Sequence, residues 1–331
     1  MRTTEGMRAV VVERPGGPEV LRLQRLPRPV PGPRQLRVRV HASALNRMDT
    51  VQRAGGYQAP ASATSPLLGV EVAGVVEAVG EAVRAFREGE RVFGLVDGGG
   101  YAEACLMEEG MAVRVPDGWS FVEAAATPEA YCTAHESLVE VGGLRRGQSV
   151  LVHAGGSGIG TACIQLARAV GARAFVSVGT EEKLARCVAL GAEAGVLRGE
   201  DFSAAVAGWT RGEGVDVVED FVGGAAMARN LASLRDGGTL LLVGVMNGMW
   251  GDLDLKQVIL RRLQLKGLAL RPLSLPMKEA VTRRFRERWL PELASGRLRP
   301  VIDSVFPLED VAEAHRRLES NLTFGKVVLT L

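Results

Sequence analysis

Cysteine is scarce in this chain of 331 residues, and the four present (Cys105, Cys132, Cys163 and Cys187) are scattered, with no pair at metal-ligand spacing. Reduced thiols in a cytoplasmic protein are the expectation. No apolar run reaches the roughly 18 residues needed to cross a bilayer. The opening "MRTTEGMRAV" lacks the apolar stretch of a secretory signal, and no membrane partner is expected. Net charge is nearly lacking as well: 40 Lys and Arg against 38 Asp and Glu leave +2, spread over 78 charged residues. That balance argues against nucleic acid as a partner. The basic run "TRRFRERW" (282–289) reads as a solvated helix face. There is no internal repeat and no low-complexity tract.

What is present suits a soluble globular protein, with 47% apolar and 24% charged residues. Its length exceeds one ordinary core, so two domains are expected. To about residue 126 the texture is β-like. "QLRVRVHASAL" (35–45) alternates, with Leu36, Val38 and Val40 on one face and Arg37, Arg39 and His41 on the other. "RPVPGPR" before it is a loop. "GVEVAGVVEAVG" (69–80) and "GERVFGLV" (89–96) are further strands, in a small antiparallel barrel or sandwich. From 127 to 270 strands and helices alternate: strands at 173–178, 194–197, 215–222 and 239–246, helices at 181–190, 201–209 and 225–234. That rhythm predicts a doubly wound parallel sheet. The last segment adds an arginine-rich helix, a strand "RPVIDSVF", a helix "LEDVAEAHRRL" and a final strand "KVVLTL".

The parallel part opens with "QSVLVHAGGSGIGTACIQLARAV" (148–170), a strand, a glycine-rich turn and a helix. Such a turn lets a pyrophosphate approach the backbone, and the exposed N–H groups of the helix start attract its charge. Gly155 and Gly160 fit the G-x-G-x-x-G register, while Ser157 takes the middle glycine position. With Gly158 and Ile159 they form the expected phosphate cradle; a tight turn that binds nothing is the alternative. An NAD site usually places a carboxylate at the end of the second strand. Here that turn is "SVGT" (177–180), with Gly179 and Thr180 and no acid. Lys183 follows, and Arg198 stands after the third strand, where both can serve a ribose 2′-phosphate. NADPH is therefore the expected cofactor, although Glu181 and Glu182 pull the other way and Lys183 has the alternative of an exposed helix charge.

The whole chain resembles the medium-chain dehydrogenase/reductase superfamily, and within it the zinc-independent, zeta-crystallin-like quinone oxidoreductases. The resemblance is carried by "GQSVLVHAGGSGIGTACIQLAR" (147–168), "GGPEVL" (16–21), "ASALNRMD" (42–49), "FREGERV" (86–92), "GGGYAEA" (99–105) and "GKVVL" (325–329). It implies an α/β fold: a GroES-like β-rich catalytic domain from 1–126 and 271–331, and a Rossmann domain from 127–270. Zinc alcohol dehydrogenases of the superfamily carry cysteine where this chain has Asn46, and a histidine where "GVE" (69–71) has Val70. Their four-cysteine lobe is absent, and the histidines at 41, 135, 153 and 315 do not replace these ligands, so no metal is expected.

Without a metal the accessible reaction is hydride delivery to an electrophilic acceptor, a quinone or a conjugated enal or enone. The resemblance implies that Asn46, Tyr57 and Thr133 line the nicotinamide and acceptor pocket. Asn46 would donate an amide N–H, Tyr57 would stack or donate its hydroxyl, and Thr133 would hold the nicotinamide carboxamide. Plainer roles stand beside these. Asn46 can cap a helix, Tyr57 can be surface packing, and Thr133 can bond its own backbone. Gly244 in "VGVM" (243–246) is expected beside the nicotinamide or as a turn glycine. Lys326 is implied near the cofactor cleft, or is a strand-edge lysine. No general acid is assigned. An enone reductase and a non-catalytic NADPH-binding protein are the rival readings. A homodimer is implied, with "LQLKGLAL" (263–270) pairing edge to edge.

Overall fold

The computed structural model describes residues 6–60 and 63–331. It resolves into two units, Met1–Glu129 with Arg271–Leu331, and Ala130–Leu270. In the first, β1 (Gly6–Val12) and β2 (Leu21–Pro27) form an antiparallel ribbon. The proline-rich stretch then breaks pairing, because proline has no N–H to give to a ladder. β3 (Gln35–Ala44) follows, and its Leu36, Val38 and Val40 are buried while Arg39 is exposed. After α1 (Arg47–Arg53) come β4 (Glu71–Val79), β5 (Arg91–Leu95), β6 (Ala104–Glu108) and β7 (Ala112–Arg114), then the short α2 (Phe121–Ala125); α3 (Pro128–His135) starts here and passes at Ala130 into the second unit. Leu36, Val38, Val40, Val72, Val76 and Val92 share one core.

The second unit runs β8 (Ser149–Val152), α4 (Gly158–Val170), β9 (Arg173–Val178), α5 (Glu181–Leu190), β10 (Ala194–Leu197), α6 (Phe202–Trp209), β11 (Val215–Asp220), α7 (Met227–Ser233), β12 (Leu234–Leu242), α8 (Leu255–Leu260) and β13 (Gln264–Gly267). The sheet order is β10-β9-β8-β11-β12-β13, with every neighbouring pair parallel. All four residues of β8 are buried, as in a sheet covered on both faces. The order reverses between β8 and β11, so the carboxyl ends of these two strands form the ligand crevice of this architecture.

The first unit closes with α9 (Leu275–Arg288), α10 (Leu290–Ala294), β14 (Ile302–Pro307), α11 (Val311–Glu319) and β15 (Lys326–Thr330). α9 buries Val281 and Phe285 and exposes Arg283, Arg286 and Arg288, so the basic run is a solvated face. Its sheet runs β14-β15-β3-β4-β5-β7, with β6 on β3.

Among the described residues up to 126 every strand pair is antiparallel, as expected; β14 and β15, from the last segment, are parallel, with α11 as the crossover such a pair requires. Two expectations need correction. The helix expected over 225–234 ends at Ser233, since Leu234 is extended (ψ 150°) and already begins β12. The strand expected over 239–246 stops at Leu242. Beyond it the N–H groups of Val243 and Gly244 both turn onto the Asp220 carbonyl, at 2.9 and 3.3 Å, and the chain becomes a loop.

Candidate functional site

The glycine-rich turn is built by close approach. Ala154 adopts a positive φ of 51°, and its carbonyl accepts from Ser157 N at 2.8 Å. A side chain on Gly160 would collide with that carbonyl and stand 2.8 Å from the Gly155 Cα. One on Gly155 would stand 2.8 Å from the Val176 Cβ. Ser157 is the N-cap of α4, with ordinary extended angles (φ −73°, ψ 166°), and its Oγ accepts from Gly160 N at 3.0 Å. A serine therefore replaces the usual glycine without strain and adds a cap. The next backbone N–H groups, of Gly158 and Ile159, belong to the first turn, which has no intrahelical acceptor for them. They form the positive end of the helix, which favours an anion.

The second strand leads to the turn that in dinucleotide-binding folds meets the ribose. Thr180 caps α5, its Oγ1 accepting from Lys183 N at 3.3 Å. Arg198 donates its backbone N–H to the Val178 carbonyl at 2.7 Å. Its Nη2 lies 3.6 Å from the place a Cβ on Gly179 would take. Gly179 thus leaves room under a guanidinium, and no carboxylate occupies the turn. Lys183 stands half-buried in the first turn of the next helix. The arrangement offers cations, not an acid, at the position that distinguishes a ribose 2′-phosphate from a 2′-hydroxyl.

At the strand-order reversal a buried polar chain joins three strand ends. Asp220 Oδ1 accepts from the N–H groups of Val222 (2.7 Å) and Gly223 (3.0 Å), while Oδ2 accepts from Asn230 Nδ2 at 2.9 Å. Asn230 Oδ1 therefore faces His153 Nε2 at 2.8 Å, and that nitrogen carries the proton. His153 Nδ1 then accepts from Ser177 Oγ at 2.6 Å. Burial holds the His153 imidazole below its ordinary pKa, against the pull of Asp220, and so keeps it neutral. The chain fixes the turn after β9 relative to the loop after β11. Gly244 serves that loop: a Cβ there would stand 2.9 Å from the Phe221 carbonyl oxygen, so close packing accounts for the glycine.

Thr133 lies on α3 and is buried, and its hydroxyl has no partner among the described residues. It does not bond its own backbone. A buried hydroxyl without a partner is costly, so this one has a free donor and acceptor to offer.

In the β-rich unit the chemistry gathers on Asn46, the N-cap of α1. Its backbone N–H donates to Asp49 Oδ2 at 2.7 Å, and the Tyr101 hydroxyl donates to the same oxygen at 2.9 Å. The Asn46 side chain turns away from the helix. Nδ2 donates to Glu71 Oε1 at 2.9 Å, and Oδ1 accepts from Lys326 Nζ at 2.7 Å. Lys326 also donates to the Leu45 carbonyl (2.8 Å) and pairs with Glu71 Oε1 (2.7 Å). Its three N–H bonds are thereby spent inside the unit, and it is neither a strand-edge lysine nor left with a donor for a cofactor. Glu71 is fully buried, and its Oε2 accepts from Glu129 N at 2.8 Å. Burial, then the nearby Glu71 carboxylate, pushes the Glu129 carboxyl up to about 7.

Tyr57 stands in the loop after α1, with the Arg271 guanidinium 5.3 Å from its ring centre. Arg271 donates to Gln52 Oε1 at 2.7 Å. Glu71, Glu129, Arg271 and the His153–Asn230–Asp220 chain are the residues that sequence reasoning missed. Glu71 is within reach of sequence, since it stands next to Val70 in the "GVE" motif. Nothing local marks the others, because their partners come from distant segments.

Residues 32–117 match the model for the alcohol dehydrogenase GroES-like domain, and 190–329 match that for zinc-binding dehydrogenases. Among the described residues no three His, Cys, Asp or Glu side chains gather as a metal site, although the second model is named for zinc. The quinone oxidoreductase of Lama guanicoe is 35% identical over 98% of both chains. The structure of the Escherichia coli quinone oxidoreductase complexed with NADPH matches with a TM-score of 0.89 at 27% identity, covering 98% of this chain and 100% of that one. That of the CurK enoyl reductase matches with a TM-score of 0.88 at 26% identity, covering 98% and 99%. With sheet order, glycine-rich turn and full-length likeness in agreement, the chain belongs to the zeta-crystallin-like quinone oxidoreductase group of the medium-chain dehydrogenase/reductase superfamily.

Proposed function

We propose that this protein is an NADPH-dependent quinone oxidoreductase that reduces its acceptor without a metal ion. The observation that carries the reading is the pairing of a dinucleotide cradle that ends in Lys183 and Arg198 with Asn46 at the position where the zinc enzymes place a cysteine. Bound NADPH supplies the hydride. Gly155, Ser157, Gly158, Ile159 and Gly160 hold the pyrophosphate, Gly179, Thr180, Lys183 and Arg198 hold the ribose phosphate, and Thr133 gives its unpartnered hydroxyl to the carboxamide. Asn46 retains one N–H beyond its bond to Glu71, and it donates this to the acceptor oxygen as negative charge builds there. Tyr57, its ring held against Arg271, offers a flat face to a planar acceptor. Valine at position 70 supplies no metal ligand, and Asn46 is already held by Lys326 and Glu71. Four buried free thiols suit the cytoplasmic setting in which this activity is placed. A reductase of conjugated enals and enones is the second reading, favoured by the likeness to an enoyl reductase.

Absorbance at 340 nm with a panel of quinones and simple enals tests this reading. NADPH oxidation by a quinone, in zinc-free buffer and faster than with NADH, is the expected result. Faster turnover of enals moves the function to alkene reduction, and NADPH binding without turnover leaves a non-catalytic role. Charge-assisted contacts contribute about 1.5–3 kcal/mol each. Lys183→Ala and Arg198→Ala are therefore each expected to weaken NADPH binding by about tenfold or more, with NADH binding little changed in a fluorescence titration.

A further inference from the structure

The amide of Asn46 has a fixed orientation, and the reason lies in two residues that do not belong to the cofactor cradle. A side-chain amide presents an acceptor on one side and donors on the other, and its two ends are otherwise interchangeable in shape. Here Oδ1 meets the Lys326 ammonium at 2.7 Å, and Nδ2 meets Glu71 Oε1 at 2.9 Å. An ammonium only donates and a carboxylate only accepts. In the reverse orientation both contacts would be repulsive, donor against donor and acceptor against acceptor. The two locking groups are themselves held. Lys326 is 5% exposed and anchored on the Leu45 carbonyl and Glu71, and Glu71 is 0% exposed and anchored on Glu129 N. The Asn46 main chain is pinned by Asp49, which Tyr101 holds in turn.

We infer that Lys326 and Glu71 are positioning residues that hold the Asn46 amide so its remaining N–H is always presented as a donor. The inference rests on the proposed reduction, in which that N–H meets the acceptor oxygen. A buried ion pair by itself contributes little to stability over well-packed neutral groups of similar size. Its specific consequence here is direction: it excludes the arrangement in which Asn46 would offer an oxygen to an acceptor that is gaining negative charge.

The test compares wild type, Asn46→Ala, the double variant Lys326→Met/Glu71→Gln and the triple variant combining them. The double variant removes both members of the Lys326–Glu71 pair together, and the glutamine keeps an oxygen for Glu129 N–H while offering an NH₂ toward Asn46. That group attracts Oδ1 and frees or inverts the amide. Expected are a thermal midpoint near that of wild type, an unchanged Kd for NADPH, and a kcat with quinone lower by about 10- to 100-fold, the scale of a lost or misdirected donor. In the Asn46→Ala background the same double substitution is expected to cause no further loss of kcat. Equal fold-losses in both backgrounds would overturn the inference, because the two residues would then act independently of Asn46. So would a double variant of wild-type kcat. A readout independent of turnover is the side-chain amide signal of Asn46 in protein labelled with ¹⁵N-asparagine, assigned by its absence in Asn46→Ala. In wild type the hydrogen facing Glu71 is expected to exchange with solvent at least tenfold more slowly than its partner, and in the double variant that difference is lost. If wild type reduces no acceptor, the proposed function fails, while the amide signal still decides for or against the lock.

Discussion

Single residues in this protein are set by what surrounds them, and Glu219 is the clearest case. It is the penultimate residue of β11, fully buried, and among the described residues only the Ser137 hydroxyl approaches its carboxyl group, without forming a regular hydrogen bond. Burial pushes that carboxyl up to about 8 from an ordinary 4.5. An acid whose folded-state pKa lies above its unfolded one favours folding less as pH rises. The cost is absent below about pH 4.5, grows through the window up to about 8, and then levels off. Glu219→Gln is expected to gain stability over wild type as pH rises, by on the order of 2–4 kcal/mol at pH 9 and little at pH 4.5, measured by denaturant unfolding at each pH. A gain that does not depend on pH would show that the carboxyl stays neutral throughout. Sequence alone could not mark Glu219: "VDVVEDFV" reads as a strand, and only the sheet on both sides makes its fifth residue a buried acid.

At the scale of elements, periodicity and local chemistry were highly legible. β3 alternates as its sequence alternates, and β8 is a continuous apolar run because helices cover both faces of its sheet. The start of α4 shows what remains hidden. The sequence marks Ser157 as a departure from the usual glycine, while the structure shows an N-cap whose Oγ holds Gly160 N. Ser157→Ala is therefore expected to cost about 1 kcal/mol, and Ser157→Gly a few tenths. Both should keep NADPH binding, because Ser157 needs no positive φ; chemical denaturation and a fluorescence titration check the two effects. The end of β12 is hidden from local pattern for a related reason. "VGVM" is as apolar as a strand, but the Gly244 N–H shares the Asp220 carbonyl with Val243 N–H, the last ladder bond, and the strand stops there.

For the molecule as a whole, β13 is an edge strand of the six-stranded sheet, paired on one side with β12. Beside it in the chain runs a segment with a high density of exposed apolar side chains: Met249 is 77% exposed, Trp250 89%, Ile259 73% and Leu260 64%. An apolar surface next to an open sheet edge is a liability unless covered. A second copy of the chain, paired strand to strand about a two-fold axis, would cover both at once. Ile259→Lys combined with Leu260→Lys is expected to convert a dimer to monomer in sedimentation at micromolar concentration. A wild-type protein already monomeric there would dismiss the dimer.

The sequence by itself determined the class of fold, the glycine-rich turn between β8 and α4, and the lack of an acid in the turn after β9. These are local facts, written in spacing and residue type within one strand–turn–helix; that Asn46 stands where zinc enzymes carry a cysteine is what the family resemblance implies. Tertiary structure alone decided which partners the polar residues meet. Lys326 is separated from Asn46 by 280 residues and Glu71 by 25, and their approach makes a buried network from three unremarkable polar positions. Asn230 and Asp220 likewise gain a role only when β11 is laid beside β8 and β9 through their parallel pairing. The physical reason is the same in each case: a polar group's function depends on the partner that burial forces upon it, and partners far apart in the chain leave no periodic trace.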